Sequence, residues 1–122
     1  MRAITQADFQ ILNHWCSLRD LPPLDQDVLP DTGFIVDEIA AGFLIAMNNN
    51  MGILDFYVSN PHSDKKERDV ALDEITKELI ATAKDVGMKR LICTTKNDAI
   101  SKRAMFHGFE YMGQFASFRL EL

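Results

Sequence analysis

Glycine is scarce in this chain, six among 122 residues, and none falls between Gly52 and Gly87. Cysteine is scarcer: Cys16 and Cys93 sit in apolar company, without metal-ligand spacing or a disulfide framework, and read as reduced thiols in a cytoplasmic setting. Positive charge is the minority sign. Thirteen Lys and Arg against eighteen Asp and Glu leave a net charge of −5. That balance argues against a nucleic-acid partner, which would call for a basic stripe. No apolar run approaches the ~18 residues of a membrane span, and no charged-then-apolar leader opens the chain. His14, His62 and His107 share no helix, so neither a metal site nor a triad is expected, and no Ser, His and Asp set has the context of a nucleophile elbow.

What remains is an ordinary globular composition, 47% hydrophobic and 25% charged. Its length predicts one domain over 1–122, burying roughly two-thirds of its unfolded surface.

Met1 to Thr5 is short and fairly apolar, a candidate first strand. Thr5 and Asp8 then resemble a capping box, and Phe9, Leu12, Trp15 and Cys16 recur at helical spacing, predicting a helix over 6–19. Pro22, Pro23 and Pro30 limit the segment Asp20–Thr32 to one turn at most. Phe34–Val36, Ala41–Met47 and Gly52–Val58 form an expected antiparallel meander, with Asn48–Asn50 as a turn and Asn60-Pro61 as its end. Over 64–86 the residues Ala71, Ile75, Leu79, Ala83 and Val86 make one helical stripe, stopped by Gly87. Leu91–Cys93 reads as a short buried strand parallel to the meander's last strand, and Ala99–His107 as a short helix. In Phe115–Leu122 the residues Ala116, Phe118, Leu120 and Leu122 alternate with Ser117, Arg119 and Glu121, predicting a closing hairpin with Phe109–Met112.

Four short signatures stand in this order: Ala41-Gly42-Phe43; Phe56-Tyr57-Val58 with Pro61; Ala83-Lys84-Asp85-Val86-Gly87-Met88-Lys89-Arg90-Leu91; and Asn97 with Gly108-Phe109. Together they resemble the GNAT (Gcn5-related N-acetyltransferase) family over nearly the whole chain. The resemblance implies an α+β fold, a mixed and mostly antiparallel central sheet of six to seven strands with helices on both faces. It also implies an acetyl-CoA cofactor and an amine-bearing small molecule or protein as acceptor. The pantetheine arm would lie along Tyr57, Val58 and Ser59 and be bonded by Asn97, with the pyrophosphate near Lys65, Lys66, Arg68, Asp69, Val70 and Ala71.

The chain departs from the family at that second site. Val70 and Leu72 stand where glycines are expected, and Ala104 where the family often has a tyrosine acid. Asp64 and Glu67 offer the helix its own carboxylates. Asp55, in mid-strand, suits a general base for an amine or a structural hydrogen bond; Tyr111 is a second candidate on the acceptor side or a strand-edge residue. Tyr57 also reads as a core aromatic, Asn97 as a helix cap, and the charge run at 64–69 as a solvated face. The acceptor is expected to enter beside the first helix and the Pro-rich loop. The glycine-poor layout is similar, too, to small GNAT-like proteins of tailed bacteriophages, which implies as an alternative a catalytically inactive, phage-encoded binding or structural protein. Without the resemblance, the element order also suits another α+β binding domain.

Overall fold

The computed structural model describes residues 1–30, 32–48 and 50–122. Asp31, in the expected Pro-rich loop, and Asn49, in the expected asparagine turn, lie outside the described residues. The elements run β1 (Arg2–Ala3), a 3₁₀ turn (Gln6–Asp8), α1 (Phe9–Leu18), β2 (Thr32–Val36), β3 (Ala40–Ala46), β4 (Met51–Ser59), α2 (Lys65–Asp85), β5 (Arg90–Cys93) and α3 (Asp98–Phe106). They form one sheet in the order β1-β2-β3-β4-β5, antiparallel through β4 and parallel between β4 and β5.

Strand periodicity divides the core between the two faces. Ala40 and Leu44 of β3 join Ala71, Ile75, Leu79 and Ala83 of α2 in one apolar layer. Ala41 and Phe43, one residue out of phase, join Leu12, Trp15 and Cys16 of α1 in the other. The expected helical stripes are therefore what bury α1 and α2, except that Val86 lies past the end of α2 and is exposed. The first helix begins as a 3₁₀ turn because the Asp8 carboxylate folds back on the Thr5 N–H at 2.8 Å and takes a bidentate bond from Arg2. No helix among the described residues is long and apolar enough to cross a membrane.

Two expectations are corrected. The sheet has five strands among the described residues, fewer than six to seven, because no strand follows Cys93. The expected hairpin of 109–122 is absent: Phe118 is 93% and Leu120 81% exposed. Alternation assigns side chains to two faces, but a strand forms only when a neighbouring ladder and an apolar layer receive it. Residues 110–122 have neither.

Candidate functional site

Parallel pairing of β4 with β5 lasts four residues, from Met51 with Arg90 to Leu54 with Cys93. Beyond that point β4 continues to Ser59, while the chain after Cys93 leaves the sheet and enters α3. The β5-facing side of Asp55–Ser59 thus borders an open slot, bridged by α2. The slot begins at Asp55, two residues before the stretch Tyr57–Ser59 that the resemblance implies for the pantetheine arm, and the cause is local. Ala41 pairs with Val58 and Phe43 with Asp55, so Gly42 alone faces both Phe56 and Tyr57. This is a β-bulge, with Phe56 at φ +55°, and bulges bend a strand and end regular pairing.

The bulge also sorts the candidate side chains. Leu54 lies in the α2 layer, Val58 in the α1 layer, although an unbroken strand would put both on one face. Asp55 shares the α1 face with its partner Phe43, and Phe56 packs there too, its ring edge-on to Phe43 at 6.3 Å. One Asp55 oxygen accepts the Phe56 N–H at 2.7 Å, which supports the strained residue and leaves the other oxygen uncommitted. Tyr57 turns instead under α2. Its hydroxyl meets Thr76 Oγ1 at 3.0 Å, and Thr76 already donates its proton to the Leu72 carbonyl, so the phenol is the donor. Burial pushes Tyr57 up to about 12, against a smaller opposing effect of the Thr76 bond. Its ring packs in the core, and Gly42 is required above it: a Cβ there would stand 2.8 Å from Tyr57 Cε1.

Cys93, at the mouth of the slot, is half-buried; burial, then the neighbouring Asp55 charge, raise its thiol pKa and keep it protonated. Ser59, at the far end, is held by a residue that the sequence did not single out. Arg19, just past α1, donates from Nε to the Ser59 carbonyl at 2.8 Å and from Nη2 to its hydroxyl at 2.9 Å.

The start of α2 is self-sufficient. Asp64 Oδ2 accepts the N–H groups of Lys66 and Glu67 at 3.1 and 3.3 Å, satisfying donors that an anion would otherwise use. Lys65 reaches Asp69 at 3.4 Å, Arg68 donates to the Ser63 and Pro61 carbonyls, Val70 is exposed, and Ala71 is buried in the core. Asn97 caps α3, accepting from Ala99 and Ile100. That helix is clamped onto α2 by a second unanticipated cluster. Arg103 bonds Asp73 at 2.7 Å and Asp69 at 3.1 Å, and His107 Nε2 lies 3.0 Å from Asp73. Burial raises the Asp73 pKa, but the bonds from His107 and Arg103 outweigh it and hold the carboxyl below its usual range. Tyr111 stands apart from the slot, 74% exposed beyond α3.

On the α1 face a cavity of about 260 Å³ opens between the first helix and the Pro-rich loop, lined by Thr5, Phe9, Gln26, Leu29, Pro30 and Phe43. Phe43 separates this cavity from Asp55, its strand partner. No group of three or more His, Cys, Asp and Glu among the described residues is placed to hold a metal ion.

No protein-family model and no curated protein matches the sequence. The fold does match solved structures. A proposed acetyltransferase from Agrobacterium tumefaciens superposes with a TM-score of 0.70 at 14% identity, over 98% of both chains. An acetyltransferase from Trypanosoma brucei gives 0.64 at 14% identity, covering 99% of this chain and 97% of its own. The chain is therefore folded like acetyltransferases, with a GNAT-like mixed sheet. Both organisms are cellular, so the likeness lends no support to a phage origin.

Proposed function

We propose that this chain is an N-acyltransferase of GNAT type that moves an acetyl group from acetyl-CoA to an amine. The observation that carries the reading is the slot: β4 and β5 part at Leu54 and Cys93 while α2 spans them. An extended chain can lie along Asp55–Ser59 as an added strand, which takes main-chain hydrogen bonds rather than particular side chains. The pantetheine arm fits that requirement, with Tyr57, Val58 and Ser59 at its border. For the pyrophosphate the fit differs from a glycine cradle. The Lys66 and Glu67 N–H groups are engaged by Asp64, so side-chain cations would do the holding: Lys66, Arg68 and Arg19 flank this end of β4 and α2, with Lys65 partly neutralised by Asp69.

When bound, acetyl-CoA supplies an activated thioester. The tasks left to the protein are positioning, backbone polarisation near Val58, and removal of a proton from the attacking amine. Asp55 is the proposed base. It lies on the α1 face, across Phe43 from the cavity, and it has an oxygen free to accept a proton from an amine-bearing small molecule or protein side chain. Tyr111 would join this site only after the C-terminal segment moved.

Acetyl-CoA at 100 times its dissociation constant should stabilise the fold by about 2.7 kcal/mol, a melting shift of several degrees. Asp55→Asn should lower turnover with the affinity for acetyl-CoA unchanged; an unaltered rate removes the base assignment. The second reading is a GNAT-like binding module that transfers nothing, favoured by the Asp64 cap on the helix end. An unchanged melting temperature at millimolar acetyl-CoA and CoA selects it.

A further inference from the structure

α3 buries none of its residues fully. Its hold on α2 rests on Phe109, which packs against the α2 layer just past its end, and on the polar cluster. That cluster is one charge short of neutral. Two carboxylates, Asp69 and Asp73, face one largely buried cation, Arg103, whose side chain is 17% exposed. Lys65, the other cation within reach, is 82% exposed and 3.4 Å from Asp69, where it offsets little. The sheet adds no charge. Tyr57 lies near Arg103 and Cys93 near Tyr57, and burial pushes both pKa values up, so both stay neutral. The remaining member is His107, its side chain 5% exposed, with Nε2 3.0 Å from the same Asp73 oxygen that takes Arg103. Histidine is the one residue type in the cluster that ordinarily changes charge between about pH 5 and 8.

The two ring nitrogens have different roles. The bonds from His107 and Arg103 keep Asp73 ionised, and an ionised carboxylate only accepts, so Nε2 carries the hydrogen between them. Nδ1 has no partner among the described residues. No buried side-chain nitrogen there lacks one, so solvent touches the ring at Nδ1. A second proton can enter only at that atom. Its arrival leaves the Nε2 bond in place, makes that bond charge-assisted and brings the cluster to zero.

We propose that Asp73 and His107 form a proton-operated latch: a proton taken up at Nδ1 tightens α3 against α2, and its loss loosens the helix. The chain leaving Cys93 at the mouth of the slot leads directly into α3, so the latch also sets how freely that lip moves. The direction follows from linkage. A histidine whose charged form favours the closed state stabilises it fully below the ordinary histidine range, near about 6.5. The stabilisation is lost as pH rises past that range. This inference concerns helix packing and does not depend on the acyl-transfer reading.

Amide hydrogen exchange of the full chain, corrected for intrinsic rates, tests the latch. Protection in α3 should be about fivefold higher near pH 5.5 than near pH 8, while β3 and the buried stripe of α2 keep theirs. Equal α3 protection at the two pH values overturns the proposal, as does a change shared by every element. His107→Gln retains a side-chain N–H for Asp73 and carries no charge at either pH. Its α3 should keep the weaker protection throughout, and a pH dependence that survives the substitution overturns the latch. His14 and His62 are both exposed, so His14→Gln with His62→Gln should leave the dependence intact; its disappearance there also overturns it. If His107→Gln unfolds the helix, the unmutated chain still decides. The His107 ring signals in proton NMR and the α3 protection should follow one titration curve, and separate midpoints overturn the proposal.

Discussion

β4 runs nine residues, buries Leu54 and Val58 in opposite layers, and is tied at its end by Arg19; β5 runs four residues and buries none of its side chains fully. The slot therefore has one firm wall and one soft wall. On the β4 side the geometry is over-determined by a bulge, a glycine and two cores. On the β5 side it depends on a short strand and on α3, held by a charged cluster. A site built this way keeps its binding edge fixed while the opposite lip adjusts, since local stability follows buried contact density.

The contrast can be broken most directly by truncation. Leu54→Ala should cost about 3 to 4 kcal/mol, whereas Ile92→Ala, half-buried on β5, should cost about 1 kcal/mol. Denaturant midpoints measure both, and equal losses would abolish the distinction. Gly42→Val should cost about 2 to 3 kcal/mol, because its Cβ would meet the Tyr57 ring at 2.8 Å and Ile75 Cγ2 at 3.1 Å and would push the bulge apart. Near-ultraviolet tyrosine signals should change along with the midpoint.

On the soft side, Arg103→Ala should cost about 1 to 2 kcal/mol and speed hydrogen exchange in α3 well before α2, since it leaves Asp69 and Asp73 without their shared cation. Uniform exchange across both helices would show that α3 is not a separate unit. The smallest effect concerns acid. The bidentate bond from Arg2, partly offset by burial, lowers Asp8 to about 2 from an ordinary 3.8. A depressed carboxyl stabilises the fold fully above its unfolded value and loses that contribution as pH falls between about 4 and 2. The Asp8→Asn variant should therefore be less stable by on the order of 1 kcal/mol at neutral pH, the difference closing as pH falls through about 2.

Whatever rests on local chemistry was legible in the sequence. Asp64 and Asn97 announce helix starts because a short carboxylate or amide satisfies nearby N–H groups, and the Ala71–Ala83 stripe announces which side of α2 is buried. The strands and helices around the slot follow from such signals, whereas the β4 bulge and the close approach of Gly42 to Tyr57 do not. Long-range polar contacts were not legible: Arg19 finds Ser59 forty residues away, and Arg103 finds Asp73 thirty residues away. No spacing rule reaches that far. Tyr57 illustrates a subtler gap, since a tyrosine in a strand beside a slot reads equally as ligand contact or core until Thr76 is seen beneath it. The tail misled for the opposite reason: its pattern is clear, and no strand among the described residues pairs with it.

The extra residue in β4 changes the parity of everything that follows it. Leave out Phe56 and regular alternation returns: Leu54 and Val58 then stand three residues apart, so Val58 keeps the α1 face and Tyr57 stays under α2. The deletion straightens the strand without exchanging inside for outside. The two layers should therefore survive it, and what it removes is the bend that parts β4 from β5.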